Sequence, residues 1–160
     1  MIDKLFQSSV LSDQIIFGTS RSGRDLGRSA RLHTRWTISA VAIVSVVGDV
    51  DSTNAVDLAE YVLSDLALCR ALILDMTRLE FLGAAGFSAL KRIALNCQGA
   101  GIAWAVVPGD STSRLLRICD PDAMLPAVGT VSAALATLVG PDPIYATGDR
   151  DGICDIDDLG

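Results

Sequence analysis

Short aliphatic runs alternate along this chain with segments whose apolar residues recur at helical spacing. The runs at 41–47, 71–74 and 102–107 are almost entirely apolar, which is typical of strands buried on both faces of a parallel sheet. After residue 51 the helical period is clearest, and its apolar residues are Ala55, Leu58, Ala59, Val62 and Leu66. Strands that alternate with helices in this way predict right-handed crossovers and an α/β fold.

The full pattern predicts the element order β-β-α-β-α-β-α-β-α. The remaining strands are expected at 31–39 and 125–128, and the remaining helices at 84–97, from Asp110 or Ser111 onward, and at 132–138. Asp51 or Ser52 is expected to cap the first helix. Two strands precede that helix, so one antiparallel strand is compatible with the pattern. We expect a four- to five-stranded, mainly parallel sheet with about four helices packed chiefly on one side.

Composition shifts mark both ends of this domain. Residues 1–30 are rich in Ser, Gly and Arg and predict a flexible extension, with one short strand allowed at 14–17. Residues 140–160 contain six aspartates and few apolar residues, and predict a disordered acidic tail. The ordered domain is therefore expected to cover residues 31–139.

Length and charge exclude several classes of protein. With 160 residues, 50% of them hydrophobic and 5% aromatic, the chain can bury one aliphatic core. Its formal charge of −6 does not favour binding to nucleic acid. The longest apolar run, 38–47, is too short to span a membrane, and the first residues lack the pattern of a secretory signal. These features predict a cytoplasmic protein with no direct contact to nucleic acid or membrane.

The side chains needed for catalysis are scarce. His33 is the single histidine, and no nucleophile, metalloprotease or phosphate-loop motif accompanies it. We interpret His33 as a surface residue and the chain as a non-enzyme that needs no cofactor.

Metal and redox sites are likewise not indicated. The four cysteines, Cys69, Cys97, Cys119 and Cys154, lack zinc spacing and are interpreted as structural. A regulatory pair of Cys97 and Cys119 is an open alternative. The aspartates of the tail do not have the spacing of a calcium loop.

Two segments stand where ligands or partners bind in α/β proteins. Asp49, Asp51 and Asp75 follow predicted strands, which is where α/β proteins place ligand groups. We favour the alternative that Asp51 caps a helix and that Asp75 caps a turn. The small residues 83–86 stand at a loop-to-helix junction. One hypothesis is that these small residues leave the first N–H groups of the helix accessible to an anion or a partner. The alternative is that they only allow the helix to pack closely on the sheet.

These two segments resemble the motifs of STAS domains. Residues 48–51, Gly-Asp-Val-Asp, resemble the G-E-L-D element, and residues 75–87 resemble the D-x(5)-F-[ILM]-D-S-[ST]-G-[LIV] segment. The resemblance covers residues 31–139 and is greatest to actinobacterial anti-sigma factor antagonists. It implies a single STAS domain that binds an anti-sigma factor, an ATPase-like kinase, and so releases an alternative sigma factor.

The resemblance also implies a contact patch and a missing switch. The implied partner-binding residues are Asp49, Asp51, Ser52, Thr53, Gly83, Ala84, Ala85 and Gly86. In the family, phosphorylation of the first serine of D-S-[ST]-G abolishes binding, but here that position is Ala84, which has no hydroxyl, and the preceding aspartate is Gly83.

Several readings stay open. The chain is either a constitutive antagonist or one phosphorylated elsewhere, with Ser22, Ser29 and Ser88 as candidates. The alternative functions are an accessory subunit of a lipid ABC transporter and a STAS module that binds a small molecule. Formation of a homodimer is also left open.

Overall fold

A five-stranded mixed sheet organises the chain in this computed structural model, which describes residues 20–26 and 29–139. Its strands are β1 (Ser20–Leu26), β2 (Ala30–Trp36), β3 (Val41–Val50), β4 (Ala71–Leu82) and β5 (Ala103–Pro108). They lie side by side in chain order. β2 is antiparallel to both β1 and β3, whereas β3, β4 and β5 are parallel to one another.

Four helices flank the sheet within the described part of the chain. They are α1 (Ala55–Ser64), α2 (Ala84–Ala100), α3 (Asp110–Cys119) and α4 (Val131–Val139), and a 3-10 turn (Leu66–Leu68) follows α1. The predicted apolar face of α1 is confirmed, because Leu58, Ala59 and Val62 are buried. Gly101 ends α2 with a left-handed backbone, φ 69°, which is the usual role of glycine at this position.

The core is divided between the two faces of the sheet. On one face α1, α2 and α3 cover strand residues such as Leu72 and Leu74. On the other face α4 covers a smaller aliphatic cluster, in which Ala134 and Leu135 pack with Ile43 and Ile73. The expected arrangement, with most helices on one side, is therefore confirmed.

The expectation of a mainly parallel sheet is wrong in one respect. Two of the four strand pairings are antiparallel, because no helix intervenes between β1 and β2 or between β2 and β3. A crossover helix is what allows consecutive strands to run parallel.

The sheet also begins earlier than residue 31. Strand β1 lies inside the segment that we expected to be a flexible extension, and its Leu26 is buried in the larger core. The Ser, Gly and Arg composition of this segment does not predict a strand, because β1 gains its stability from pairing with β2. The allowed strand at 14–17 and the acidic tail at 140–160 lie outside the described residues.

Other boundaries differ as well. The expected strand at 125–128 is reduced to a single bridge between Val106 and Ala127. β4 continues to Leu82 instead of ending at Asp75, because its second half pairs with the end of β3. The residues that directly precede α1 and α3 are Asn54 and Gly109, not the expected capping residues.

Candidate functional site

The two sequence motifs meet at the carboxyl ends of β3 and β4. The Gly83 N–H donates to the Val50 carbonyl over 2.9 Å, which joins the loop after β3 to the start of α2. At Gly86 a Cβ atom would lie 2.2 Å from Leu82 Cδ1 and 3.2 Å from Val50 Cγ1. The small residues therefore let the first turn of α2 pack directly on both strands.

The loop after β3 is folded by its own side chains. The Asp51 carboxylate accepts hydrogen bonds from the Thr53 hydroxyl and from the Thr53 N–H. These bonds hold the pKa of Asp51 below its usual value, because they stabilise the charged form. Asp51 therefore shapes a turn before α1 and stays ionised at neutral pH.

The side chain of Asn54 holds this loop in place by two hydrogen bonds to its backbone. Its Oδ1 accepts from the Asp51 N–H over 2.9 Å, and its Nδ2 donates to the Asp49 carbonyl over 3.0 Å. The side chain is buried, with 4% of its surface exposed. Sequence analysis did not single out Asn54; an asparagine directly before the apolar face of α1 was the available signal.

Replacement of Asn54 by alanine is expected to lower the free energy of unfolding by about 2 kcal/mol, since it leaves buried backbone groups of the loop unpaired. The matched control is Asn96→Ala, because Asn96 is exposed on α2 and its Nδ2 donates to the Arg92 carbonyl of the same helix. The control should change stability by less than about 0.5 kcal/mol. Urea denaturation measures both, and equal effects would show that Asn54 does not hold the loop.

The predicted partner-binding residues differ in exposure. Ser52, Thr53 and Ala84 are exposed, whereas Gly86 is buried beneath them. The remaining members, which are half-buried, are Asp49, Asp51, Gly83 and Ala85. We call Ser52, Thr53 and Ala84, with these half-buried neighbours, the loop–helix patch.

Two of the three candidate phosphorylation sites lie beside the loop–helix patch. Ser29 is half-buried in the turn before β2; its carbonyl accepts from the Asp49 N–H over 2.7 Å. Ser88 is exposed one turn after Ala84, and its hydroxyl donates to the Ala84 carbonyl over 3.4 Å. Ser22 belongs to β1, at the opposite edge of the sheet from β5.

A shallow groove runs between α1 and α2 next to the patch. It has a volume of about 250 Å³, and it is lined by Ser52, Ala55, Val56, Ala59, Ala85, Ser88, Ala89 and Arg92. Four of its eight lining residues are alanines, so the groove offers apolar contact area and one cation, Arg92.

The other candidates have structural roles. Asp75 lies within β4 and not at the turn that we favoured; its carboxylate accepts from the Thr77 N–H and hydroxyl where the register between β3 and β4 shifts. His33 is exposed on β2. Burial raises the pKa of the Cys69 thiol, and burial together with the nearby Cys69 raises the pKa of Cys97 to about 11. Within residues 20–26 and 29–139, no cluster of His, Cys, Asp or Glu has the arrangement of a metal site.

A helix with the length and apolarity required to cross a membrane is not found among the residues that the structure describes.

The fold and the site define a class of small α/β domain in which an exposed surface, formed by one loop and one helix start, is the candidate for function. Residues 36–134, which make up more than half of the chain, match the STAS domain family. The chain belongs to the STAS domain family.

Individual relatives agree with this assignment. The chain is similar to Osmosensory protein A of Mycobacterium tuberculosis, with 28% identity over 100 residues, which is 60% of this chain and 63% of that protein. The chain thus spans less than two thirds of this relative. It is also similar to the crystal structure of an anti-sigma factor antagonist from Mycobacterium paratuberculosis, with 26% identity and a TM-score of 0.63 over 72% of this chain and 98% of that one.

A transporter shares the fold. The murine anion transporter Solute Carrier 26 family member A9 matches with a TM-score of 0.58 and 14% identity, over 84% of this chain and 24% of that one. At this identity the likeness shows the fold alone.

Proposed function

We propose that this chain is an anti-sigma factor antagonist, which binds an ATPase-like anti-sigma kinase in the cytoplasm and so releases a sigma factor. The solved antagonist from Mycobacterium paratuberculosis supports this role, because nearly all of that chain matches this one. A transporter subunit and a small-molecule-binding module would have the same fold. No residue of the described site specifically favours either alternative.

The observation that carries the proposal is the contact between the two motifs. The Gly83 to Val50 hydrogen bond places the exposed residues Ser52, Thr53 and Ala84 on one continuous surface. Small side chains there let a partner backbone approach closely, and the ionised Asp51 beside them can accept hydrogen bonds from the partner.

The proposal includes no phosphorylation at residue 84, the position that is phosphorylated in the family, because alanine has no hydroxyl group. We infer a constitutively binding state, or control from Ser22, Ser29 or Ser88. Ser29 and Ser88 are the stronger candidates, since a phosphate on either would add about two negative charges beside the loop–helix patch.

The test is calorimetric titration of the full chain against each anti-sigma kinase of the source organism, with ADP and then with ATP. We expect one kinase to bind with a Kd of about 1 μM or tighter. Ala84→Ser should bind equally in ADP, and in ATP it should gain one phosphate by intact-mass analysis and lose binding.

The same preparations distinguish the transporter alternative. If no kinase binds the wild type or Ala84→Ser in either nucleotide, the antagonist proposal is wrong. Fractionation of cells would then show whether the chain sediments with membranes, as an accessory subunit of a transporter would.

A further inference from the structure

Three exposed residues in or beside the loop–helix patch carry a side-chain hydroxyl in the described part of the chain: Ser52, Thr53 and Ser88. The Thr53 hydroxyl is engaged, because it donates to the Asp51 carboxylate. Ser52 directly follows Asp51, which stays ionised, so a further negative group on Ser52 would be repelled. Ser88 lies on α2, away from this carboxylate's own turn, and is the hydroxyl best placed to carry a negative group.

The surroundings of Ser88 on α2 are positive. Lys91 and Arg92 follow it by three and four residues and are exposed, and these spacings bring side chains together on one side of a helix. The Lys91 Nζ lies 5.8 Å from the centre of the Phe87 ring. Within residues 20–26 and 29–139 the Arg92 guanidinium has no carboxylate partner. Arg92 is therefore a cation that can pair with an anion on Ser88.

The groove between α1 and α2 connects these residues to the loop–helix patch. Ser52 lines it from the α1 side, and Ser88 and Arg92 line it from the α2 side. Arg92 is the single charged residue among the eight that line the groove; the carboxylates Asp57 and Glu60 of α1 do not line it. An anionic group on Ser88 would thus occupy an open, apolar groove whose lining offers one positive charge.

We propose that Ser88 is a phosphorylation site and that Arg92 binds the phosphate on it. The Ser88 hydroxyl donates to the Ala84 carbonyl over 3.4 Å, a length at which a hydrogen bond is weak, so it can leave this bond at little cost. Residue 84 is the position that is phosphorylated in the family, and Ser88 lies one helical turn, about 6 Å, further along α2.

The two other candidate serines fit this role less well. Ser29 is half-buried, and its Oγ accepts a hydrogen bond from Asn54 Nδ2 over 3.4 Å. Ser22 belongs to β1, which β2 separates from the strand that ends in the patch. Ser88 alone among the three combines an exposed position, a place beside the patch and an arginine one helical turn further on.

The modification is a phosphoryl transfer from ATP. The bond between Ser88 Oγ and the γ-phosphorus forms, the bond from that phosphorus to the β,γ-bridging oxygen breaks, and ADP leaves with the electron pair. The hydroxyl proton passes to a base of the kinase. A bound anti-sigma kinase would cover the groove, since Ser52 belongs to both the groove and the patch. We therefore assign the transfer to a different protein kinase that acts on the free chain.

Phosphate on Ser88 should act in opposite directions on stability and on binding. An anion four residues before Arg92 has the favourable orientation of a helical ion pair and stabilises α2. The same charge, about −2, lies in the groove beside the patch and opposes a partner that docks there. The effect on binding rests on the proposed function, whereas the modification and its pairing with Arg92 do not.

Mass spectrometry tests the modification itself. The full chain and its variants are expressed in the source organism and isolated from growing and from stationary cells. We expect one phosphate on Ser88, which is absent from Ser88→Ala and kept in Ser132→Ala, because exposed Ser132 has no Arg or Lys three or four residues further on. No phosphate in either culture, phosphate only on other residues, or its addition to Ser88 by the anti-sigma kinase with ATP overturns the proposal.

Phosphoserine encoded at position 88 tests the pairing with Arg92. We expect the Tm of the full chain to rise by about 2 °C and this rise to disappear in Arg92→Gln. The matched control is Arg114→Gln, since Arg114 is exposed on α3; it should keep the rise. No rise, or a rise that survives Arg92→Gln, contradicts the assignment of Arg92.

Calorimetric titration of the same protein tests the regulatory effect. Phosphoserine at position 88 should weaken binding of the anti-sigma kinase by about 100-fold or more, and phosphoserine at position 132 should leave it unchanged. Equal binding with and without the phosphate on Ser88 overturns the regulatory role. If the unmodified chain binds no kinase, the proposed function is wrong, and the location of the phosphate and the Tm shift still decide the assignment of Ser88.

Discussion

Ala84→Glu is expected to weaken binding to the anti-sigma kinase by about 100-fold or more, because it places an unpaired carboxylate at the centre of the proposed interface, where burial of a charge costs several kcal/mol. Ala84 is exposed at the first position of α2. A negative charge there interacts favourably with the helix dipole, so the variant should fold as well as the wild type. Calorimetric titration measures the loss of binding, and thermal unfolding confirms that stability is kept.

The matched control for this prediction is Ser132→Glu. Ser132 is exposed in the first turn of α4, on the opposite side of the sheet, so this variant adds the same charge in the same helical context. It should bind as the wild type does. If Ala84→Glu also bound normally, the loop–helix patch would not be the interface, whatever the function of the chain.

Gly48→Ala is expected to lower the free energy of unfolding by about 3 kcal/mol or more, which is a large share of the stability of a small domain. Gly48 has φ 102°, a conformation that side chains other than glycine's rarely adopt, and a Cβ atom there would lie 2.1 Å from the Ser29 carbonyl oxygen. The backbone of the turn before β2 would have to move to make room. Urea denaturation measures the change.

Gly99→Ala is the control for this second prediction. Gly99 is exposed in α2, and a Cβ atom there meets no atom within 4 Å. Removal of glycine from a helix stabilises it by about 0.5 to 1 kcal/mol, so the control should shift stability in the opposite direction. Similar effects of both substitutions would contradict the close approach of β3 to the turn at Ser29.

The predictable part of the fold is the part with internal periodicity. The apolar face of α1 and the buried runs of β3, β4 and β5 are visible in the sequence, because each element is buried through its own spacing of apolar residues. β1 is different: one side of it lies at the edge of the sheet and its residues are mostly polar. Its stability comes from pairing with β2, and a pairing partner cannot be inferred from local composition.

The site shows the same division. The small residues at 83–86 and the acidic residues at the end of β3 are visible in the local sequence, but the role of Asn54 is not. Its hydrogen bonds to Asp49 and Asp51 depend on how the loop folds back. Ser29 illustrates the point further, since its contact with Asn54 links residues that are 25 positions apart.

The position of β1 at the end of the strand order also affects how copies of this chain can associate. An edge strand offers backbone N–H and C=O groups to which a strand from another molecule can add. Among the described strands this edge carries the exposed charges of Arg24 and Asp25, and a strand that added there would have to remove both charges from water. Edge-to-edge growth of the sheet into a dimer or a fibre is therefore disfavoured at this edge by the cost of burying charged side chains.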